Sequence, residues 1–179
     1  MPSWPKPAPT LRQFGERWPG RFLLVTQNVD NLHEQALEGR TPANGFVLKH
    51  MHGELTKARC LVTEQVHDWH DAMDTTTPCP CCNRAGWLRP HIVWFGEMPL
   101  YMDLIAHMLS ECDLFISIGT SGNVYQAAGF VQQARMNGRA RTIELNMEPS
   151  SGHSLFHETH YGTATQIVPH YVRQMLDAA

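Results

Sequence analysis

The sequence of 179 residues predicts an α/β protein built on a doubly wound parallel sheet. Three apolar runs without polar alternation, at 21–25, 113–118 and 141–145, indicate strands that are buried on both faces. Segments with apolar residues at helical spacing alternate with these runs, as is typical of parallel sheets covered by helices. An apolar content of 42% provides enough side chains for the core of one domain with a small insert.

Helices are expected at three places along the chain, in addition to an amphipathic helix directly before Cys112. Four prolines in the first nine residues predict an extended lead-in, and a short helix should follow at 10–18, with Thr10 as its N-cap and Gly20 as its stop. A second helix should end at Asn137 and Gly138. Its apolar face contains Val124, Ala127, Ala128, Val131 and Ala134. The last helix should begin at Pro169. Its apolar face contains Val172, Met175, Leu176 and Ala179.

Charge and hydropathy argue against two classes of protein. The net charge is −3 and no basic stripe is present, whereas proteins that bind nucleic acid usually have a basic surface. No apolar run approaches the length of a membrane span. The N-terminus lacks the long apolar stretch of a signal peptide, so we expect a soluble, cytoplasmic protein. Its five cysteines then favour metal binding or free thiols over disulfides.

Polar clusters follow three of the predicted strands, at 26–30, 119–122 and 146–148. In open parallel sheets, ligands bind outside the carboxyl ends of the strands, where these clusters should lie. A polar loop at a strand end is also what exposure to water alone would produce. Because all three clusters are rich in hydrogen-bonding groups, we expect them to contribute to a shared ligand site.

Residues 53–90 contain four of the five cysteines and no long periodic segment, which indicates a small insert held together by something other than an apolar core. Structural zinc sites usually take four ligands, often in two C-x-x-C pairs. Cys79 and Cys82 form one such pair, but Thr63 stands where Cys60 would have its partner. Cys81 could supply the fourth thiolate. The competing ligands are Glu64, His67 and His70. There are two alternatives to a structural zinc site. Zinc is held weakly or has been lost, or the cysteines are only packed side chains.

Among the eleven histidines, His50 and His52 stand out because they lie two residues apart and Gly53 follows directly. On a strand, this spacing would place both side chains on one face. Such a pair could bind the metal of a zinc hydrolase, but no third ligand lies at suitable spacing. A general base is the more economical interpretation of His52, because imidazole changes its protonation near neutral pH. A structural role is the alternative that the pair alone leaves open.

Five motifs occur in order along the chain: TQNVDNLHE at 26–34, HMHGEL at 50–55, LRPHIVWFGEMP at 88–99, IGTSG at 118–122 and ELNMEP at 144–149. Together they resemble the sirtuins, the NAD-dependent protein-lysine deacylases, and especially the bacterial CobB type. The resemblance runs from about Phe22 to the C-terminus. Five ordered motifs over this length make a chance similarity very improbable.

The resemblance implies an enzyme of deacetylase or desuccinylase type. Such an enzyme transfers the acyl group of a protein lysine to the ADP-ribose part of NAD and releases nicotinamide. The implied cofactors are NAD and a structural zinc ion, and the implied partners are acylated lysine side chains of proteins. His52 matches the catalytic general base of the family.

Further site residues follow from the same match. The implied cofactor-binding residues are Gln27, Asn28, Val29, Asp30, Gly119, Thr120, Ser121, Asn146, Met147, Glu148 and Ala164. The segment implied to pair with the acyl-lysine peptide by strand addition contributes Val93, Phe95, Gly96 and Glu97. The implied zinc ligands are Cys60, Cys79, Cys81 and Cys82.

The sequence departs from the family in its first part, because no Gly-Ala-Gly-Ile-Ser loop is present. The resemblance therefore implies an N-terminally incomplete, Rossmann-like sheet, and we expect this chain alone to bind NAD weakly. The predicted organisation is a lead-in and short helix at 1–20, a partial NAD-binding domain at 21–52 and 91–179, and a zinc-binding module at 53–90. The alternative function is a non-catalytic, zinc-containing module that binds protein tails.

Overall fold

The structure is a computed structural model, and it describes residues 9–37, 45–122, 127 and 129–178. These residues belong to two compact units. The first unit lies within 1–22, 41–46 and 103–179, and the second within 23–40 and 47–102. None of the helices described is long and apolar enough to span a membrane.

The described part of the chain alternates short strands and helices. The helices are α1 (Pro9–Arg17), α2 (Leu32–Leu37), α3 (Met102–Glu111), α4 (Phe130–Met136) and α5 (Ala164–Ala178), with a 3-10 turn at His153–Leu155. The strands are β1 (Phe22–Thr26), β2 (Phe46–His50), β3 (Gly53–Cys60), β4 (Val66–Asp68), β5 (Leu88–Ile92), β6 (Leu114–Ile118), β7 (Arg141–Asn146) and β8 (Glu158–Tyr161).

The first unit is built on a parallel sheet in the order β6-β7-β8. Its central strand β7 alternates between two faces, because successive side chains point to opposite sides. Ile143 and Leu145 are completely buried, and they belong to a core that also contains Val168 and Val172 of α5 and Phe14 of α1. Burying one such aliphatic side chain contributes roughly 1.5–3 kcal/mol. The parallel sheet and its packed helices confirm the predicted α/β class.

The second unit contains an antiparallel sheet in the order β4-β3-β5 and a pair of strands, β1 and β2. Its small core cluster consists of Ala58, Cys60, Cys79 and Leu88. Two of these four residues are cysteines, and the partly buried Trp69, Met73 and Cys82 pack against the cluster, so this sheet has a small apolar core. The composition of residues 53–90 had indicated such an insert without a sizeable core.

The predicted elements agree with the structure at most places. The helix expected at 10–18 is α1, and the three apolar runs are β1, β6 and β7. Helix α4 ends at Met136 with Asn137 as its C-cap, and Gly138 follows with a φ of +75°, as expected at a helix C-terminus. Val124, Ala128, Ala179 and the lead-in at 1–8 lie outside the described residues, as does the side chain of Thr10.

The last helix begins at Ala164 rather than at Pro169, which lies inside it. The carbonyl of Thr163 accepts hydrogen bonds from the N–H groups of Gln166 and Ile167, so the first turn is closed before Pro169. A proline inside a helix removes one hydrogen bond and costs about 3 kcal/mol. Burial of the apolar face of α5 offsets this cost. The sequence prediction rested only on the preference of proline for the first turn of a helix, so it did not take this burial into account.

Candidate functional site

The polar segment 26–29 begins with the last residue of β1, and its backbone is hydrogen-bonded to residues 51–55. The N–H of Met51 donates to the carbonyl of Thr26 at 3.0 Å, and the N–H of Leu55 donates to the carbonyl of Val29 at 2.8 Å. The hydroxyl of Thr26 also accepts the N–H of Asn28 at 3.1 Å. The segment is therefore held at both of its ends, although residues 27–29 form no regular structure.

His52 lies in the turn between β2 and β3, and its ring contacts the same segment. Its Nδ1 lies 3.1 Å from the carbonyl oxygen of Gln27. Because a carbonyl only accepts hydrogen bonds, this contact places the proton of the neutral ring on Nδ1 and leaves a lone pair on Nε2. Within the described residues, Nε2 of His52 has no hydrogen-bond partner. A half-buried imidazole with this tautomer is suited to accept a proton at Nε2.

The expectation that His50 and His52 share one face of a strand is wrong. Strand β2 ends at His50 and β3 begins at Gly53, so His52 lies in the turn. Gly53 has a φ of +85°, and a Cβ atom there would lie 1.9 Å from the carbonyl oxygen of His91. Only glycine permits this turn and this close approach of two backbones. The turn directs the two imidazoles to different carbonyls, so they do not form a metal-binding pair.

The segment that follows β5 lies beside this turn. The N–H of Val93 donates to the carbonyl of His52 at 2.9 Å. The chain then turns back, since the N–H of Glu97 donates to the carbonyl of Trp94 at 3.0 Å and Gly96 has a φ of +90°. Phe95 is fully exposed at the tip of this turn. Residues 94–97 thus form a turn, and the strand addition of a peptide to the segment 93–97 stays a prediction.

The carboxylate of Glu97 stabilises this turn from within the chain. Arg89 donates to both of its oxygens, at 2.6 and 3.1 Å, and the N–H of Trp94 donates to Oε2 at 2.9 Å. The same guanidinium stacks on the ring of Trp94 at 3.8 Å. The hydrogen bonds from Arg89, and after them the N–H of Trp94, lower the pKa of Glu97 to about 2. Glu97 therefore acts on this segment by fixing the turn.

Glu97→Gln should lower the free energy of unfolding near neutral pH and lose this effect in acid. The unfolded chain protonates Glu97 near its ordinary pKa of 4.5, whereas the folded chain resists protonation down to about pH 2. The stabilisation is thus complete above about pH 5 and is lost as the pH falls toward 2. Urea unfolding at several pH values measures the difference in the free energy of unfolding between the parent and the variant. A difference that stays constant from neutral to acid pH would contradict the assignment.

In the first unit, the loops at the carboxyl ends of β6 and β7 are joined by one side chain. Asn146 donates through its amide to the carbonyl of Thr120 at 2.7 Å, and its amide oxygen accepts the N–H of Met147 at 2.9 Å. The N–H of Gly119 donates to the carbonyl of Leu145 at 3.0 Å, and Gly119 has a φ of +62°. The two polar clusters that the sequence placed at these strand ends are therefore neighbours.

Other predicted residues lie at the same end of this sheet. Ser151 donates through its N–H to the carbonyl of Ser121 at 3.2 Å, and through its hydroxyl to that of Gly122 at 2.8 Å. The carbonyl of Asn146 accepts the N–H of Gly162, two residues before Ala164 begins α5. Met147 and Glu148 are exposed next to Asn146. The structure thus brings the predicted residues at 119–121, 146–148 and 164 together in the first unit, and those at 27–30, 52 and 93–97 belong to the second unit.

The four predicted zinc ligands lie in one cluster. The Sγ atoms of Cys60, Cys79, Cys81 and Cys82 all lie within 4.8 Å of one another. Two separations are 3.7 Å, between Cys60 and Cys82, and 3.4 Å, between Cys79 and Cys81. Four thiolates at about 2.3 Å from a tetrahedral ion are about 3.8 Å apart. The cluster therefore fits a structural zinc ion, and within the described residues Glu64, His67 and His70 are not part of it.

Thr63, which replaces a cysteine of the expected pair, contacts two of the sulfurs. Its N–H and that of Val62 both lie 3.4 Å from Sγ of Cys60, and its hydroxyl lies 3.1 Å from Sγ of Cys81. Hydrogen bonding by the Thr63 side chain, and then by the two N–H groups, lowers the pKa of Cys60 to about 5 against the opposing effect of burial. This favours the thiolate, which is the form that binds zinc.

Comparison with known proteins identifies a family. The Sir2 family profile matches residues 13–126. The NAD-dependent protein deacylase of Pasteurella multocida is 53% identical over 93% of this chain and 68% of its own length. The protein of the same name from Salmonella typhi is 51% identical over 93% of this chain and 58% of its own length. The one from Shigella flexneri is 54% identical over 88% of this chain and 55% of its own length. The chain thus spans little more than half of the length of the latter two relatives.

Solved structures agree with this result. A Sir2 homologue in complex with NAD superposes with a TM-score of 0.79 at 28% identity, over 97% of this chain and 66% of that protein. A mutant Sir2 homologue in complex with ADP-ribose also superposes with a TM-score of 0.79 at 28% identity, over 96% of this chain and 68% of that protein. A family profile that covers more than half of the chain, together with relatives above 50% identity, leads to one conclusion. The chain belongs to the Sir2 family.

Proposed function

We propose that this chain acts as an NAD-dependent protein-lysine deacylase that transfers an acyl group from lysine to ADP-ribose and releases nicotinamide. The observation that supports this most directly is the tautomer of His52, whose Nδ1 is bound to Gln27 and whose Nε2 is available as a base. Three relatives with identities above 50% are named NAD-dependent protein deacylases, in agreement with this chemistry.

The proposed roles of the other residues follow their places in the two units. In the second unit, Gln27, Asn28, Val29 and Asp30 contact the nicotinamide and its ribose. In the first unit, the loop 119–121 contacts ribose and phosphate, where glycine allows close approach of the backbone. Residues 146–148 contact the adenosine ribose, and Ala164 lies near the adenine. The domain boundaries at 52/53 and 90/91 stay a prediction.

In the proposed mechanism, the protein supplies orientation, exclusion of water and one base. NAD supplies the energy-rich bond between nicotinamide and ribose. Nε2 of His52 takes a proton from a ribose hydroxyl, while the bond from Nδ1 to Gln27 keeps the ring in the correct tautomer. The proposed contacts of the peptide are Val93, Phe95, Gly96 and Glu97. The carboxylate of Glu97 also holds the turn at 94–97 through Arg89.

The substrate class is a protein with an acylated lysine, and the proposed compartment is the cytoplasm. The segment at 93–97 presents two exposed apolar side chains, Trp94 and Phe95, beside the turn that contains His52. Such a surface suits an extended peptide with a long aliphatic side chain, because acylation removes the charge of the lysine. Zinc has a structural role here, since cysteines occupy all four positions and leave none open.

The test is release of nicotinamide from NAD in the presence of an acetylated or succinylated lysine peptide. The expected result is release that requires both reactants and yields one O-acyl-ADP-ribose for each nicotinamide. The control is the same peptide with an unmodified lysine. Peptide binding without turnover, and unaffected by NAD, would instead support the non-catalytic module and overturn the proposal.

A further inference from the structure

The side chain of His50 is buried between two acceptors. It is 4% exposed, its Nδ1 lies 2.9 Å from the carbonyl oxygen of Asn28, and its Nε2 lies 2.7 Å from Oε1 of Glu34. The carbonyl fixes a proton on Nδ1, because it only accepts hydrogen bonds. The ring is therefore held at both nitrogens, and it joins helix α2 to the segment 26–29.

His50 completes the contacts of that segment. The carbonyls of Thr26 and Val29 accept backbone N–H groups, that of Gln27 accepts Nδ1–H of His52, and that of Asn28 accepts Nδ1–H of His50. All four successive carbonyls are thus bound by residues 50–55. Two of the four donors are imidazoles, so the position of the segment depends on how these rings are held.

A second carboxylate close to His50 has a different partner. One oxygen of Glu54 lies within 4.8 Å of the ligand atoms of His50 and Glu34. Glu54 is paired with Lys57, whose Nζ lies 3.2 Å from Oε1. Glu54 is therefore a matched control for Glu34, since it has the same chemistry and a similar place but no bond to the ring.

These three residues could also hold a metal ion, but one distance favours a shared proton. Nitrogen and oxygen ligands about 2.0–2.1 Å from a tetrahedral ion are about 3.3 Å apart. Nε2 of His50 and Oε1 of Glu34 are only 2.7 Å apart, which is the length of a strong hydrogen bond. Glu34 and His50 are therefore interpreted as a hydrogen-bonded pair.

We propose that Glu34 and His50 are positioning residues for the NAD site of the proposed deacylase. Glu34 orients His50, His50 holds the carbonyl of Asn28, and Asn28 follows Gln27, whose carbonyl orients His52. The chain of contacts thus links an acidic residue on α2 to the tautomer of the proposed base. This inference rests on the proposed function, because its kinetic effect requires turnover.

The kinetic test compares Glu34→Ala, Glu34→Gln and Glu54→Gln. Loss of one anchor should let the segment shift, and small misplacements of positioning groups lower rates by up to about 100-fold. We expect kcat/KM for NAD to fall about 10-fold or more in Glu34→Ala, with an unchanged KM for the acyl peptide. Glu34→Gln should recover most of the loss, because its amide donates to Nε2, and Glu54→Gln should match the parent. Equal kinetics in Glu34→Ala and Glu54→Gln would overturn the proposal.

A spectroscopic test does not depend on turnover. Long-range proton–nitrogen spectra of the histidine rings should show a slowly exchanging Nδ1–H on His50 in the parent and in Glu34→Gln. This proton should exchange much faster in Glu34→Ala. If the parent chain showed the slowly exchanging Nδ1–H but released no nicotinamide, the proposed function would be rejected. The hydrogen-bonded linkage from Glu34 through His50 to Asn28 would still be confirmed. A His50 ring without a proton on Nδ1, or a second zinc equivalent lost in Glu54→Gln, would reject the linkage itself.

Discussion

Removal of zinc with a strong chelator should unfold the sheet β4-β3-β5. The core cluster of this sheet consists of Ala58, Cys60, Cys79 and Leu88, so two of its four buried residues are themselves proposed zinc ligands. Structural zinc sites of this kind bind with an apparent free energy of about 10–16 kcal/mol, and this energy is available for folding. Without the metal, the apolar contacts that remain are those of Ala58 and Leu88 with the partly buried Trp69 and Met73, and we expect these contacts not to replace it.

The measurement has two parts. Metal analysis of the purified chain should give one zinc per chain, and hydrogen exchange should show protection of the β3 and β5 amides that disappears on chelation. Re-addition of zinc should restore the protection. Protection that persists after the metal has been removed would show that packing alone holds this sheet, and it would overturn the structural role of zinc.

Substitution of single cysteines identifies the ligands. Cys79→Ser and Cys82→Ser should each abolish stoichiometric zinc, because serine does not replace a thiolate in a tetrahedral site. Cys112→Ser is the matched control, since Cys112 lies in the first unit and outside the cluster. If Cys81→Ser retained zinc and His70→Ala lost it, the fourth ligand would be His70 and not Cys81.

The sequence predicted the elements whose signal is local. The strands β1, β6 and β7 are continuous apolar runs, and the end of α4 is marked by Asn137 and Gly138. The Cys79–Cys82 spacing predicted a metal site because the chemistry of the ligands lies within four residues. In each case the physical cause is contained in a short stretch of chain.

Features that depend on contacts between distant residues were not predictable in the same way. The role of Cys81 depends on its approach to Cys60, and the place of Glu97 depends on Arg89, eight residues away. Glu34 was not singled out at all. Its contact with His50 spans sixteen residues, and only the motif match at 26–34 could have pointed to it. The start of α5 was misplaced because burial outweighed the preference of Pro169.

Replacement of His52 by alanine should lower the rate of nicotinamide release about 100- to 10,000-fold, which is the usual contribution of a general base. Zinc content and the free energy of unfolding should stay close to those of the parent, because His52 makes one side-chain hydrogen bond within the described residues. The control is His107→Ala, an exposed histidine of the first unit. A His52→Ala chain as active as His107→Ala would contradict the assignment.

A second substitution separates the two nitrogens of His52. The side-chain amide of asparagine can donate to the carbonyl of Gln27 in the place of Nδ1, but it has no basic atom in the place of Nε2. If the lone pair on Nε2 is what the reaction needs, His52→Asn should be as inactive as His52→Ala while the segment 26–29 keeps its position. If the ring only orients that segment, His52→Asn should recover most of the activity. Single-turnover measurements with both variants decide between a base and an anchor, because the two roles depend on opposite sides of the same ring.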